Sequence, residues 1–239
     1  MTFDAPSRTG EVICPYDASV GEHQELLVSV GLFEHLGQDV VDDLASKAAE
    51  RSYKRGDFLF HQGDVATELY VVVDGRIAIA NRSFDGRESL VALMERGDLF
   101  GEMPFFEGDG RSADGRALEP SRVLALPYSC LTELYKEDPD RLWQVVRLLA
   151  SRLRTMNTAL ADSVFLDVTG RTAKRLLDLA GEDDEFILPI TQEELAGMVG
   201  ASRERVNKAI SSFIRLGWIE QQDGKYTITN REQLTIRSN

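Results

Sequence analysis

Between Leu142 and Val164, apolar residues recur at Leu142, Val146, Leu149, Leu153, Met156, Leu160 and Val164, at spacings of 4, 3, 4, 3, 4 and 4. Only a helix returns side chains to one face at that interval. The repeat is close to a heptad and suits a seam between two chains. The competing reading is a helix face packed on its own domain. Arg147, Arg152, Arg154 and Asp162 occupy the other face and favour the seam, and with it a homodimer. Asp138 and Pro139 stand just upstream, an N-cap residue followed by a first-turn residue. A helix and its hinge are therefore expected over 138–166, dividing the chain in two.

The two sides differ in pattern. From Arg55 to Pro127, short apolar runs are separated by glycine turns. Phe58 and Phe60 alternate before Gly63-Asp64; Leu69, Val71 and Val73 alternate before Asp74-Gly75. Ile77 and Ile79 precede Asp85-Gly86, and Leu90, Ala92 and Met94 precede Gly97-Asp98. Many short strands with regular turns predict a β-sandwich or barrel. Upstream, Val40, Val41, Leu44 and Ala48 mark short amphipathic helices within 22–49. Residues 1–21, with Pro6, Gly10, Pro15 and Gly21, read as a flexible tail. The expected organisation is a tail at 1–21, an effector domain at 22–137, the long helix and hinge at 138–166 and a third domain at 167–239.

In that third domain Asp167 can cap a helix with an Ala173, Leu176, Leu177, Ala180 stripe that ends at Gly181. Glu182 to Glu185 read as a solvated acidic loop. Thr191-Gln192-Glu193-Glu194 is a capping box, and Leu195, Ala196 and Val199 form the inner face of a short helix. Gly200 permits a left-handed turn, Ser202 caps the next helix, and Gly217 stops it. Trp218-Ile219 and Tyr226-Thr227-Ile228 flank Asp223-Gly224, a hairpin signal. Helix, turn, helix and β-wing together predict a winged helix-turn-helix. The fold class expected is α+β. Residues at the start of a recognition helix reach base edges. Arg203 can hold guanine with two bonds and Glu204 can accept from cytosine, while Lys208 lies one turn beyond Glu204. Arg205, Ser202 and the helix N-terminus suit phosphate. A solvated charged face is the ordinary alternative.

The net charge of −13 opposes this reading at first sight. Its distribution reduces the objection. Residues 1–166 carry 17 Lys/Arg against 28 Asp/Glu, and 167–239 carry 10 against 12. Within 202–215 four basic residues face one acid, Glu204. Weak non-specific DNA binding at modest salt is expected. Met1 to Gly10 lack the apolar core of a secretory signal, and no apolar run reaches spanning length, so a soluble cytoplasmic protein is expected. Cys14 and Cys130 lie far apart, and His23, His35 and His61 have no ligand-like spacing, which leaves no basis for a disulfide framework or metal site. No nucleophile motif or acid–base pair is evident, so no enzyme is expected.

These residues also carry a resemblance. Ile190 to Ile219, ITQEELAGMVGASRERVNKAISSFIRLGWI, resembles the DNA-binding motif of the cyclic-AMP receptor protein (CRP/FNR) family. Phe165 to Ala180 is similar to that family's hinge and first DNA-domain helix. Arg55 to Ile79, RGDFLFHQGDVATELYVVVDGRIAI, is similar to its cyclic-nucleotide-binding β jelly roll. Phe100 to Ala113, FGEMPFFEGDGRSA, resembles its phosphate-binding cassette. The resemblance spans about residues 30–235. It implies cyclic AMP as effector, bound by Ile79, Val91, Gly101, Glu102, Arg111, Ser112 and Asn157, and DNA bound by Thr191, Gln192, Ser202, Arg203, Glu204, Arg205 and Lys208. Arg111 would fork onto the phosphate with Ser112 beside it. Glu102 would accept the ribose hydroxyl, as acids do in dinucleotide folds, and Gly101 would let backbone approach. Ile79 and Val91 match base-facing positions. Met156 stands where relatives offer a hydroxyl to adenine, leaving Asn157 for that edge. Asp114 would bring negative charge near the phosphate and Gly115 would weaken its strand.

The resemblance further implies palindromic double-stranded DNA with TGTGA-like half-sites, RNA polymerase as a further partner and no membrane. Two readings compete with a cyclic-AMP-controlled regulator. One is a regulator independent of cyclic nucleotide or answering another effector. The other is a nucleotide-binding module acting through protein contacts.

Overall fold

The computed structural model describes residues 11–12, 19–33, 36–82, 88–222 and 224–239. The turn at Asp85-Gly86, Asp223, Cys14, His35 and most of the expected tail lie outside the described residues. The chain divides into two compact units, one holding residues 1–87 and 91–151, the other 88–90 and 152–239. The division falls inside the long helix, not at either end of it.

In the first unit β1 (Glu11–Val12), α1 (Ser19–Ser29) and α2 (Gln38–Lys47) precede β2 (Ala49–Tyr53), β3 (Phe58–Phe60), β4 (Glu68–Asp74) and β5 (Ile77–Arg82). Then come β6 (Glu88–Met94, whose first three residues fall in the second unit), β7 (Leu99–Phe100), α3 (Met103–Glu107), β8 (Asp114–Ala117), β9 (Ser121–Pro127) and α4 (Tyr128–Glu137). A five-stranded sheet runs β1-β2-β9-β4-β7 and a four-stranded sheet β3-β8-β5-β6. The part read as a tail thus contributes an edge strand, whose Val12 pairs with Arg51, and the start of α1.

Strand β4 shows how the sequence builds two cores. Leu69, Val71 and Val73 face one way and join Leu27 of α1, Leu44 of α2 and Leu131 of α4. Tyr70 and Val72 face the other way and join Phe60, Ile77 and Phe100 in the sandwich interior. Its neighbour β9 divides alike, Leu124 and Leu126 to the helices, Val123 and Ala125 to the interior. A strand buried on both faces has no polar face to show, hence the unbroken apolar run. Each fully buried large side chain contributes about 2 kcal/mol.

Asp138 is a cap, but of a 3-10 turn over Pro139–Arg141, its Oδ1 accepting from Asp140 N at 3.2 Å. The long helix α5 starts after that turn and runs Leu142–Phe165. Its seam residues Leu142, Val146, Leu149, Leu153, Met156, Leu160 and Val164 are 42–68% exposed. Among the described residues the single chain leaves this stripe largely uncovered.

The second unit continues with α6 (Val168–Ala180), β10 (Glu185–Ile187), α7 (Gln192–Val199), α8 (Arg203–Arg215), β11 (Ile219–Gln222), β12 (Lys225–Ile228) and α9 (Arg231–Arg237). Asp167 caps α6 by accepting from Gly170 N at 2.8 Å. The wing is a three-stranded sheet, β10-β12-β11, because Glu185 leaves the acidic loop and pairs with Thr227.

Candidate ligand cradle and DNA-reading face

Arg111 is the centre of the first site. It is a guanidinium only 4% exposed. Its Nη1 donates to Gly101 O at 2.8 Å and its Nη2 to Glu68 O at 2.8 Å. The carbon of the guanidinium lies 4.3 Å from the Phe60 ring centre and 5.2 Å from that of Tyr70, within cation–π range. Its Nε is buried with no hydrogen-bond partner. A buried unpaired donor costs about 1–3 kcal/mol. The arrangement therefore stores a positive charge, held in place by carbonyls and rings, with one donor left for an incoming acceptor.

Gly101 is what allows this. Its φ is +77°, and a Cβ there would stand 2.6 Å from Arg111 Nη1 and 3.3 Å from the Tyr70 ring. The close approach expected at Gly101 is thus to the arginine itself. Glu102 follows, fully buried, at the start of α3. Ser112 is exposed, its Oγ 3.6 Å from Met103 Sδ. Ile79 is half-buried on β5, Val91 is exposed on β6, and Asn157 is exposed on α5, in the second unit. The direct contacts accordingly unite Gly101 and Arg111, with Glu102 and Ser112 beside them in the chain.

Asp114 and Gly115 have roles that the sequence reading did not give them. Asp114 is buried and bonded, accepting from Gln62 N at 2.8 Å with His61 Nδ1 at 3.5 Å. Gly115 lies within β8, where the pairing with β3 shifts register between Phe58 and Phe60. It pairs with Phe60 on one side and Ile79 on the other. A Cβ at Gly115 would meet the Phe60 ring at 2.8 Å, so the glycine makes room for the ring beneath Arg111.

Tyr128 was missed. Its hydroxyl donates to Gly101 O at 2.5 Å and lies 3.4 Å from Arg111 Nη1, and its ring packs 5.4 Å from that of Phe105. Burial pushes the phenol pKa up, and the Arg111 charge opposes that rise. No local pattern marks a tyrosine that meets a loop 27 residues away.

The second site is α7, the turn and α8. Glu194 N donates to Thr191 Oγ1 at 3.2 Å, and the Glu194 carboxylate accepts from Thr191 N at 2.8 Å and from Thr191 Oγ1 at 2.9 Å. The capping box forms, and it uses the Thr191 hydroxyl proton that a phosphate contact would need. Gly200 makes the left-handed turn (φ 68°), and Ser202 Oγ accepts from Arg205 N at 3.4 Å. Val206, Ala209, Ile210 and Phe213 are buried, and Phe213 stacks on Trp218 with ring centres 5.7 Å apart. That burial turns Arg203, Glu204, Arg205 and Lys208 outward, all exposed. Gln192 is half-buried at the start of α7.

Arg171 ties this region together and was also missed. From α6 it donates to Leu166 O at 2.7 Å, just beyond α5, and to Val199 O at 2.8 Å, at the end of α7. Lys174 pairs with Asp162 at 2.6 Å. Among the described residues no group of three His, Cys, Asp or Glu could hold a metal ion, and no helix is long and apolar enough to cross a membrane.

Comparison with known proteins agrees with this geometry. The cyclic nucleotide-binding domain family matches residues 50–138, and the Crp-like helix-turn-helix domain family matches 170–236. The CRP-like cAMP-activated global transcriptional regulator of Mycobacterium tuberculosis is 34% identical over 221 residues, 90% of this chain and 99% of that protein. FixK2 from Bradyrhizobium japonicum shares the fold, with a TM-score of 0.73 at 21% identity over 80% of this chain and 98% of that one. The c-di-GMP responsive global regulator CLP from Xanthomonas campestris aligns with a TM-score of 0.69 at 25% identity, over 80% of this chain and 99% of that one. With the cradle on a jelly roll and a winged helix-turn-helix behind a long helix, the chain belongs to the CRP/FNR family of DNA-binding transcription regulators.

Proposed function

We propose that this regulator is a homodimer switched by cyclic AMP, one nucleotide in each jelly roll. The observation that carries the reading is Arg111, a buried, preorganised cation with an unpartnered Nε. In this reading the phosphate binds at Arg111 and Ser112, and Glu102 takes the ribose hydroxyl. Ile79 and Val91 flank the base beside Gly101, and Asn157 meets the adenine edge. The exposed stripe of α5 pairs with its copy in the second subunit. The effector domain takes in β1 and α1 and runs to 137, the dimer helix and hinge span 138–166, and the DNA-binding domain 167–239.

Two recognition helices set about 34 Å apart read a palindrome in successive major grooves, with TGTGA-like half-sites. Arg203 and Glu204 read base edges with Lys208 on the same face; Arg205, Ser202 and the helix N-terminus hold phosphate, and Thr191 and Gln192 complete the DNA-binding set. RNA polymerase is the downstream partner, and the cytoplasm is the compartment. Cyclic AMP acts by binding the DNA-competent arrangement more tightly than the other.

Fluorescence anisotropy of a labelled TGTGA palindrome, with and without cyclic AMP at fixed salt, tests the reading. Tighter specific binding with the nucleotide is expected. Equal specific binding in both would favour a second reading, a DNA-binding regulator with another effector or none. The exposed Met156, which has no hydroxyl to offer adenine, motivates that second reading.

A further inference from the structure

Helix α9 is the element that the reading above leaves without a task. It has seven residues, about 10 Å of helix, and packs on α6, which has 13 residues and spans about 20 Å. Leu234 at its centre is fully buried. An arginine near each end extends its reach to both ends of α6.

At the C-terminal end of α6, Arg231 uses all three guanidinium nitrogens. Nε donates to Asp184 Oδ1 at 2.9 Å, Nη1 to Gly181 O at 2.8 Å and Nη2 to Asp183 O at 2.6 Å. Gly181 is the residue that ends α6. At the other end, Arg237 Nη2 donates to both oxygens of Asp167, the residue that caps α6. Gly170 lies beneath this contact. A Cβ there would stand 3.0 Å from Arg237 O and 3.1 Å from Arg237 Nη1, so the absence of a side chain lets the two helices meet.

What α6 holds gives the clamp its consequence. Through Arg171 it bonds the carbonyl of Leu166 in the hinge and that of Val199 at the end of α7. Through Lys174 it pairs with Asp162 near the end of α5. A shift of α6 would therefore move both the hinge and the turn that aims α8.

We propose that α9 is a splint for α6, and that Arg231 and Arg237 are positioning residues for DNA reading that act through it. The proposal rests on the DNA-binding reading above. Isolated exposed ion pairs are worth little. Here several bonds fasten one short helix around a buried leucine and a glycine contact, so losing one end releases the splint.

The full-length variants Arg237→Ala and Arg231→Ala test this, with Arg237→Lys as the conservative control. Hydrogen exchange of residues 168–172 should quicken in both alanine variants, with exchange in the jelly roll unchanged. Affinity for the TGTGA duplex should fall about 3-fold, and Arg237→Lys should recover part of it. The slope of log affinity against log salt should stay at the wild-type value, because a lost phosphate contact would lower it by about 1. Unchanged exchange in both alanine variants overturns the splint. Raised exchange with wild-type affinity, or a lowered slope, overturns the positioning role. If the wild-type protein does not bind the duplex, the DNA-site reading fails and the exchange arm still decides the splint.

Discussion

The place of Arg111 can be tested without touching it, by adding one methyl group at Gly101. The Gly101→Ala side chain would stand 2.6 Å from Arg111 Nη1, too close for either to remain. Two costs follow. An alanine at φ +77° is worse than glycine by about 1 kcal/mol. Displacing the guanidinium forfeits a charge-assisted bond to Gly101 O, worth about 1.5–3 kcal/mol. Gly108 supplies the control. Its φ is +78°, but a Cβ there meets nothing within 4 Å. Gly108→Ala therefore carries the backbone cost alone, and the difference between the two variants isolates the clash. Calorimetric titration with cyclic AMP should give an affinity about 10–100-fold weaker for Gly101→Ala than for Gly108→Ala. Urea unfolding should find it less stable by about 1.5–3 kcal/mol. Equal stability and equal affinity in the two variants would refute the argument, because Gly101 would then not be guarding the arginine.

Three further outcomes follow from the same structure. Gly115→Val should lower the stability of the jelly roll by about 1–3 kcal/mol through overpacking against Phe60; in a thermal melt Phe60→Leu on top should recover part of the loss. Leu153→Asp, in the middle of the exposed stripe, should shift sedimentation velocity from dimer to monomer and leave the jelly roll folded. Asp167 has a pKa held below the usual carboxylate range, first by the Gly170 amide and then by Arg237, with desolvation opposing. A lowered folded pKa contributes stability above the ordinary value near 4 that is lost as pH falls through the lowered one. The stability gap between wild type and Asp167→Asn in urea should therefore shrink from pH 6 towards pH 3; a gap constant over that range would count against the assignment.

Local features were readable in the sequence wherever a short segment held the whole cause. The Thr191–Glu194 box, the Asp167 and Ser202 caps and the stripe along α5 each depend on neighbours within a turn or two of helix, and each forms. Candidate positions in the cradle were legible only through likeness to relatives, and the contacts within the chain were not legible at all. Gly101 makes room for the arginine, Gly115 makes room for a ring, and Asp114 accepts from Gln62 N. Tyr128 and Arg171 escaped notice because each reaches a backbone carbonyl, 27 and 28 residues away respectively, which no periodicity encodes. Helix α9 was invisible for another reason. Seven residues with one buried leucine carry too little pattern to stand out, and tertiary packing on α6 supplies what its length lacks.

The bonding of Arg111 bears on how a protein of this design can change over generations. The side chain that would greet the effector also satisfies the carbonyls of Gly101 and Glu68 and fills the space over Phe60. A lineage that stopped using its signal would gain nothing by discarding the arginine, since the carbonyls of Gly101 and Glu68 would each lose a charged bond. Drift should begin instead at exposed Ser112, whose loss disturbs no buried group. The arginine is expected to outlive the signal it serves, and the serine beside it to be the earlier casualty.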